Sequence, residues 1–327
     1  MNDHVTDPAT EAFVGHRDLL FTVAYEMLGS AADAEDVLQE AWLRWVKVDL
    51  AQVQDQRAYL VRITTRQALN RLRTLKRRKE AYVGPWLPEP LLTAPDVAED
   101  IELSENLSLA LMYILETLSP TERAVFVLRE VFDFGYDDIA AAIDKSPAAA
   151  RQIAHRARQH VDARRPRTPA SPEEAREALS SFQRALETGD LQGLLDVLAP
   201  DVVFVSDGGG LRPAALQPVV GADKALRYMA GSINKAGGTL TSEPTTVNGN
   251  PALLLRLDGA IDGVLAFRLE NARVTGLYYV ATPKNSPVLR PKPPSPPADR
   301  LPPGDMAYRG CAVAQASGSK PLTAAEK

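Results

Sequence analysis

Hydrophobic positions recur at helical spacing near the start of the chain. Apolar side chains repeat every three or four residues between Leu19 and Trp45, with a break at Gly29-Ser30, and predict two helices over residues 17–48. A third, longer helix is predicted from Gln56 to Lys79. Its inward face consists of four apolar residues: Val61, Ala68, Leu72 and Leu75. The N-terminal part is therefore predicted to be all-α.

A proline-rich break separates these helices from a second helical part. Residues 84–95 contain four prolines and predict a linker without a regular element. Helices are predicted at 103–118 and 121–132, with Ser119-Pro120 between them. A second proline-rich break, at 166–172, is predicted to end this part.

The remainder of the chain combines one predicted helix, Pro172 to Glu187, with segments of strand character. The predicted strands are 202–206, 239–247, 252–258, 263–270 and 274–282. The last two form a predicted hairpin that turns at Glu270 to Arg273. Nine prolines between Pro283 and Pro303 predict that the end of the chain is disordered. The pattern indicates an α+β domain followed by a proline-rich tail.

One segment of the second helical part has the features of a DNA-reading helix. A short predicted helix, 136–143, is followed by a turn at Asp144-Lys145 and by a helix that Ser146 can cap and Pro147 can begin. This arrangement is typical of a helix-turn-helix. The polar face carries side chains that can donate to bases and phosphates: Arg151, Gln152, His155 and Arg156. A solvated basic face on an amphipathic helix is the simpler alternative.

Charge is distributed unevenly, although the net charge is only −5. Residues 57–79 contain nine Lys or Arg and no acid, whereas solvated helix faces usually mix both signs. One stripe of the predicted helix is polar throughout: Arg62, Arg66, Asn70, Arg73 and Arg77. At about 1.5 Å per residue the stripe is about 22 Å long, which is enough to follow several phosphates. We therefore predict a second nucleic-acid surface here.

Composition excludes several other classes of protein. The single cysteine, Cys311, allows neither an internal disulfide framework nor a cysteine-based zinc site, and no metal or other cofactor is predicted. No apolar run reaches the roughly 20 residues of a membrane span, and the acidic N-terminus lacks signal-peptide character. We expect a cytoplasmic protein without a membrane partner.

Three features together resemble a known family. They are the acidic helix DAEDVLQEAWLRW, the acid-free helix RAYLVRITTRQALNRLRTLKRR and the helix-turn-helix, and they resemble the extracytoplasmic-function sigma factors of bacterial RNA polymerase over residues 13–163. The resemblance implies an all-α sigma region 2 at 13–83, a linker at 84–102 and an all-α sigma region 4 at 103–165. It also implies two partners, core RNA polymerase and promoter DNA.

The resemblance assigns roles to the three features. Residues expected to contact the clamp helices of polymerase are Asp36, Gln39, Glu40 and Trp42. The basic helix and the loop at 49–56 would melt and hold the minus-ten element, and the helix after Ser146 would read the minus-thirty-five element. This chain differs from the family at three positions. Where the family usually has Asn and Asp, it has Arg66 and Asn70, and where the family usually has Gly, it has Asp144. Because Asp tolerates left-handed backbone, we expect the turn to form.

Short motifs narrow the resemblance to the subgroup with a C-terminal SnoaL-like domain. These are WLPEP from Trp86, SDGGG from Ser206 and NPALL from Asn250. They imply a cone-shaped α+β domain at 171–283 that regulates the factor in cis, with a disordered tail at 284–327. The expected regulatory contacts involve Trp86, Leu87, Pro88, Asp207, Gly208, Gly209, Gly210, Asn250 and Pro251.

Two other functions compete with that of a sigma factor. SnoaL-like domains elsewhere are enzymes, but all four histidines lie before residue 171, so we predict no catalysis. The second alternative is a helix-turn-helix regulator whose C-terminal domain senses a small ligand. A repressor of that kind has no need for the acidic helix, which favours the sigma factor. A small ligand could still bind the C-terminal domain.

Overall fold

Three long helices form the N-terminal part of the structure, a computed structural model that describes residues 7–80, 82, 84–93, 108–164, 170–210 and 213–281. They are α1 (Pro8–Leu28), α2 (Ala31–Trp45) and α3 (Gln56–Glu80), with a short 3₁₀ turn at Leu50–Gln52. Gly29 ends α1 with a φ of 72°, and the Ser30 hydroxyl caps α2 by accepting from the Asp33 amide. The predicted three-helix order is confirmed, although α1 begins earlier than expected.

Four more helices form the second helical part: α4 (Leu109–Leu115), α5 (Pro120–Phe126), α6 (Tyr136–Ile143) and α7 (Pro147–Asp162). A π-helical segment, Val127–Val131, extends α5. Asp144 adopts a φ of 57° between α6 and α7, so the expected tight turn forms without glycine. α4 ends three residues before the predicted end at Leu118, because Ser119 and Glu122 form a capping box that begins α5. The predicted helix start at 103–107 lies outside the described residues, as does the tail at 284–327.

The two helical parts share one hydrophobic core. α3 packs against α1 and α2 and also against α5 and α6, so the long basic helix lies between the two parts. The four residues predicted to face inward on α3 are buried: Val61, Ala68, Leu72 and Leu75. The largest fully buried side chain, Trp45, donates from Nε1 to the Ala9 carbonyl at 2.7 Å. One continuous cluster therefore includes residues from α1 through α7.

The C-terminal part is an α+β domain, as predicted, with one sheet and three helices. The helices are α8 (Pro172–Thr188), α9 (Leu191–Val197) and α10 (Ala222–Ala236). The strands are β1 (Leu198–Asp207), β2 (Val219–Val220), β3 (Leu240–Val247), β4 (Asn250–Leu257), β5 (Ala260–Glu270) and β6 (Arg273–Ala281). Their spatial order is β2-β1-β6-β5-β4-β3, and only the β1–β6 pair is parallel. The predicted β5–β6 hairpin is confirmed, with positive φ at Asn271 and Ala272.

Both faces of the sheet are covered. One face packs against α8, α9 and α10 around Phe182, Phe204 and Leu253. The other face contributes Val205 and Tyr278, among others, to a separate cluster with Leu87 of the linker and Leu109 and Ala110 of α4. The α+β domain is thereby joined to both the linker and the second helical part by apolar burial.

Candidate functional site

The helix-turn-helix presents its predicted DNA-reading face to solvent. The Ser146 hydroxyl accepts from the Ala149 amide at 3.2 Å, which is the expected N-cap of α7. The inward face is buried at Ala150, Ala154, Ala157 and Val161. The four predicted DNA-binding side chains of α7 are exposed: Arg151, Gln152, His155 and Arg156. Their exposure leaves the recognition face free to approach a DNA groove.

The basic stripe of α3 is partly occupied by the second helical part. Arg66 is surface-exposed, but its Nη2 donates to the Ala141 carbonyl of α6 at 2.9 Å. Arg62 lies over the Tyr59 ring at 4.5 Å, and Arg73 donates to Asn70 within α3 at 3.2 Å. The Arg77 side chain lies outside the described residues. The structure therefore brings the middle of the predicted DNA surface into contact with the helix-turn-helix.

The acidic face of α2 is accessible. Asp36, Gln39 and Glu40 are exposed, whereas Trp42 is half-buried and meets Phe13 edge-on at 5.1 Å. Arg71 of α3 bonds Asp33 and reaches Asp36 at 3.1 Å. The hydrogen bond with Asp33 raises the pKa of Arg71 further above its usual value. α2 is thus oriented by α3 and still offers acidic side chains to a partner.

A buried arginine that the sequence analysis did not single out joins the two helical parts. Arg123 of α5 donates from Nε and Nη2 to the Glu26 carbonyl of α1, at 3.1 and 3.0 Å. Its Nη1 is paired with the Glu116 carboxylate. The side chain of Arg123 is only 2% exposed, whereas Glu116 remains partly accessible.

Asp207 fixes the start of the linker to the sheet. Its Oδ2 accepts from the Leu87 amide at 2.8 Å, and its Oδ1 accepts from Gly209 at 2.8 Å and from the Tyr82 hydroxyl. Burial, together with the Asp207 hydrogen bond, raises the pKa of Tyr82 to about 12. Gly209 and Gly210 have φ values of 60° and 71°, and the Gly210 amide donates to the Tyr82 hydroxyl at 3.2 Å. The glycines are needed for this left-handed backbone.

The other predicted contact residues surround this group. Trp86 meets Tyr82 edge-on at 5.2 Å, and Pro88 is buried. A Cβ on Gly29 would lie 3.3 Å from the Pro88 Cβ, so the linker passes close to the end of α1. Gly208 follows β1 directly and is buried, and Pro251 is half-buried in β4.

Asn248 fixes the linker at Leu91. The side-chain Oδ1 of this buried residue accepts from the Leu91 main-chain amide at 3.1 Å. The main-chain amide of Asn248 donates to the Leu91 carbonyl at 2.9 Å. Its Nδ2 donates to the Tyr25 hydroxyl at 2.8 Å, and Tyr25 donates to the Glu89 carbonyl at 2.5 Å. The predicted Asn250 donates instead to the Asn248 carbonyl at 2.7 Å. A signal existed in the Asn-Gly turn between two strands, where Asn248 has a φ of 50°.

Glu89 connects the linker to the N-terminal helices. Its amide donates to the Gly29 carbonyl at 2.8 Å, and its Oε2 accepts from the Ala31 amide at 2.9 Å, at the start of α2. Burial raises the pKa of Glu89, against the lowering effect of the hydrogen bonds from Ala31 and Ser30. Farther along, the Thr93 amide donates to the Thr246 carbonyl at 3.0 Å, so the linker also pairs with the edge of β3.

The described part of the chain has neither a membrane-spanning helix nor a cluster of metal ligands. None of its helices combines the length and apolar character needed to cross a membrane. Within the same residues, no three His, Cys, Asp or Glu side chains are grouped so that they could hold a metal ion.

Comparison with known proteins gives the class of the chain and then its family. Residues 13–78 match sigma-70 region 2, and residues 108–161 match sigma-70 region 4. The extracytoplasmic-function RNA polymerase sigma factor SigJ of Mycobacterium tuberculosis is 34% identical over 284 residues, 83% of this chain and 91% of SigJ. A probable sigma factor of the same organism, SigI, is 32% identical over 89% of this chain and 98% of its own length.

The crystal structure of M. tuberculosis SigJ matches this structure with a TM-score of 0.68 and 33% identity, covering 84% of this chain and 96% of that chain. The chain therefore belongs to the extracytoplasmic-function sigma factors of RNA polymerase. It is a transcription initiation factor with helical sigma regions 2 and 4 and a C-terminal α+β domain.

Proposed function

We propose that three surfaces of the structure perform initiation. The acidic face of α2, with Asp36, Gln39 and Glu40, binds the clamp helices of core polymerase together with Trp42. α7 reads the minus-thirty-five element, since its polar face is exposed and its N-terminal end is capped. The basic stripe of α3 and the loop before it bind and melt the minus-ten element, because cations at successive turns can follow the phosphates of one strand.

We further propose that the SnoaL-like domain regulates initiation in cis by fixing the linker. The observation that supports this proposal is the pair of polar anchors, Asp207 on Leu87 and Asn248 on Leu91. Between them, Glu89 is bonded to the N-terminal helices. The linker joins the two sigma regions, so its path limits how far they can separate. A domain that holds the linker at Leu87 and at Leu91 can therefore control the spacing of the two DNA-binding surfaces.

Run-off transcription with core polymerase tests both proposals. Asp207→Asn removes one of the two oxygens that accept from Leu87, Gly209 and Tyr82, and Asn248→Asp removes the Nδ2 donor to Tyr25. Each weakens one anchor and changes few atoms, which is preferable to truncation because truncation would expose the cluster around Leu109. Asp196→Asn is the matched control, since among the described residues Asp196 accepts only from Gln192 in the same helix. We expect transcript yield to change in both anchor variants and not in the control. Unchanged yield in all three would contradict regulation through the linker, and no transcript from the unmodified factor on any promoter would contradict the first proposal.

A further inference from the structure

The N-terminal half of α3 contacts the helix-turn-helix through two arginines. The Arg57 guanidinium carbon lies 4.6 Å from the centre of the Phe134 ring. Nine residues farther along the same helix, Arg66 donates to the Ala141 carbonyl at 2.9 Å. We call this contact, made by Arg57 and Arg66 with Phe134 and Ala141, the α3–α6 seam. Both cations lie on the helix that the proposed function assigns to a promoter strand.

The partners of the two arginines have the chemistry of a nucleotide strand. Phe134 offers the face of an aromatic ring, as an unstacked base does, and a guanidinium over such a ring gains cation–π attraction. Ala141 offers a main-chain oxygen in the last turn of α6. The amides of Asp144 and Lys145 both donate to the Ala140 carbonyl, which leaves the Ala141 carbonyl to Arg66. Because this is the negative end of the helix dipole, the oxygen attracts a cation as a phosphate oxygen does.

Charge along α6 strengthens the comparison. The sequence of α6, YDDIAAAI, contains Asp137 and Asp138 and no Lys or Arg, and Asp144 follows it directly. The charged residues of α3 between residues 57 and 79 are all Lys or Arg. An acidic helix therefore lies on a basic one, as a polyanion would.

We infer that the α3–α6 seam covers a single-strand DNA site, with Phe134 in the place of a base and the Ala141 carbonyl in the place of a phosphate oxygen. This inference rests on the proposed role of α3. A DNA strand and α6 then compete for Arg57 and Arg66, so strand binding opens the seam and an open seam binds the strand more tightly. The recognition face of α7 stays exposed in the closed form, so duplex reading by α7 does not require opening.

The α3–α6 seam depends on the length of the Arg66 side chain. An Asn side chain at this position is too short to span the gap that the guanidinium bridges. Arg66→Asn therefore removes the hydrogen bond to α6, and its loss of helix propensity is matched by that of Arg73→Asn in the same helix. Arg66→Lys keeps a cation long enough to reach the same carbonyl.

Energy transfer between two dyes tests the inference on the full-length chain. The dyes are attached at Ala32→Cys in α2 and Gln159→Cys in α7, both exposed positions, in a chain that also carries Cys311→Ser. The probe is a single-stranded oligodeoxynucleotide of mixed sequence, and its duplex is the comparison. We expect transfer to fall as the single strand saturates the protein and to change much less with the duplex.

The variants distinguish the role of Arg66 in the α3–α6 seam from simple phosphate binding. We expect Arg66→Asn to lower transfer without DNA, and Arg66→Lys to restore it. Arg73→Asn is the matched comparison, since Arg73 bonds only Asn70 of its own helix among the described residues. It should weaken strand binding and leave transfer without DNA unchanged. Strand binding with unchanged transfer, or unchanged transfer in Arg66→Asn, overturns the inference and leaves the role of α3 intact. Absence of strand binding overturns both.

Discussion

Arg123 donates two hydrogen bonds to the main-chain carbonyl of Glu26, although the two residues are 97 positions apart in the sequence. The contact joins sigma region 4 to sigma region 2 through a side chain that solvent scarcely reaches. A guanidinium in such a place needs every available acceptor, because an unpaired buried charge costs several kcal/mol. Glu26 and Glu116 supply those acceptors, so Arg123 ties the two regions together.

Replacement of this arginine should destabilise the chain strongly. Arg123→Ala removes three hydrogen bonds of a buried guanidinium, two to the Glu26 carbonyl and one to the Glu116 carboxylate, and we expect the free energy of unfolding to fall by about 3–5 kcal/mol. Urea denaturation followed by circular dichroism measures the change. Arg156→Ala is the control, because Arg156 is 60% exposed and 4.0 Å from Glu122. Equal, small losses in the two variants would show that burial of Arg123 does not matter.

Asn248 should be sensitive to loss of its amide. Asn248→Asp keeps the shape and tolerates the left-handed backbone, but it replaces the donor to Tyr25 by a buried acceptor. We expect a loss of about 1–3 kcal/mol in the free energy of unfolding. Asn271→Asp makes the same change at an exposed residue whose backbone also has a positive φ, 52°, and should cost little. Thermal melting of the two variants gives the comparison, and a larger loss in Asn271→Asp would refute the role of Asn248 as an anchor.

Glu89 should make stability depend on pH. Its pKa is raised in the folded chain, so folding favours the protonated carboxyl, and this contribution is complete below the ordinary carboxyl pKa and declines as pH rises through the raised value. Glu89→Gln keeps an acceptor for the Ala31 amide and removes the titration. The difference in melting temperature, wild type minus variant, should therefore fall from pH 4 to pH 7 by an amount set by that shift. A difference that rises with pH would reverse the assignment.

The two DNA surfaces should differ in the kind of specificity they supply. Arg151→Ala or Gln152→Ala should weaken binding to the cognate promoter by about 1–3 kcal/mol and affect scrambled DNA much less, if each contacts a base. Arg73→Ala should weaken both and reduce the salt dependence of binding by roughly one unit of slope. Fluorescence anisotropy over a series of salt concentrations distinguishes the two. Equal losses on both DNAs for all three variants would assign α7 to phosphate contacts only.

The acidic residues of α2 should serve polymerase binding rather than stability. Reversal of Asp36 and Glu40 together to Lys should abolish co-purification with core polymerase, while the melting temperature changes little because both side chains are exposed. Asp33→Lys is an informative contrast, since Asp33 bonds Arg71 and is only 17% exposed. That variant should lower the melting temperature. A large loss of stability in the double variant with polymerase binding retained would invert these roles.

The sequence predicted elements whose signals are local. α6, α7 and the β5–β6 hairpin were predicted because caps, turns and periodicity lie within a few neighbouring residues. α9 and α10 were missed, since α9 has seven residues and α10 stands between glycines in a segment without strong punctuation. Arg123 and Asn248 were missed for another reason. Their partners lie 97 and 223 positions away, and spacing along one helix or strand does not encode such contacts.

The pairing of the linker with β3 has a consequence for self-association. β3 is one of the two edge strands of the sheet, and an exposed strand edge is a template on which another chain can add a strand. The linker covers one end of this edge at Thr246 and Val247, and Pro244 interrupts the row of amides nearby. Release of the linker would expose the β3 edge at Thr246 and Val247, which Pro244 does not protect. We therefore expect variants that release the linker to associate edge to edge more readily than the wild type.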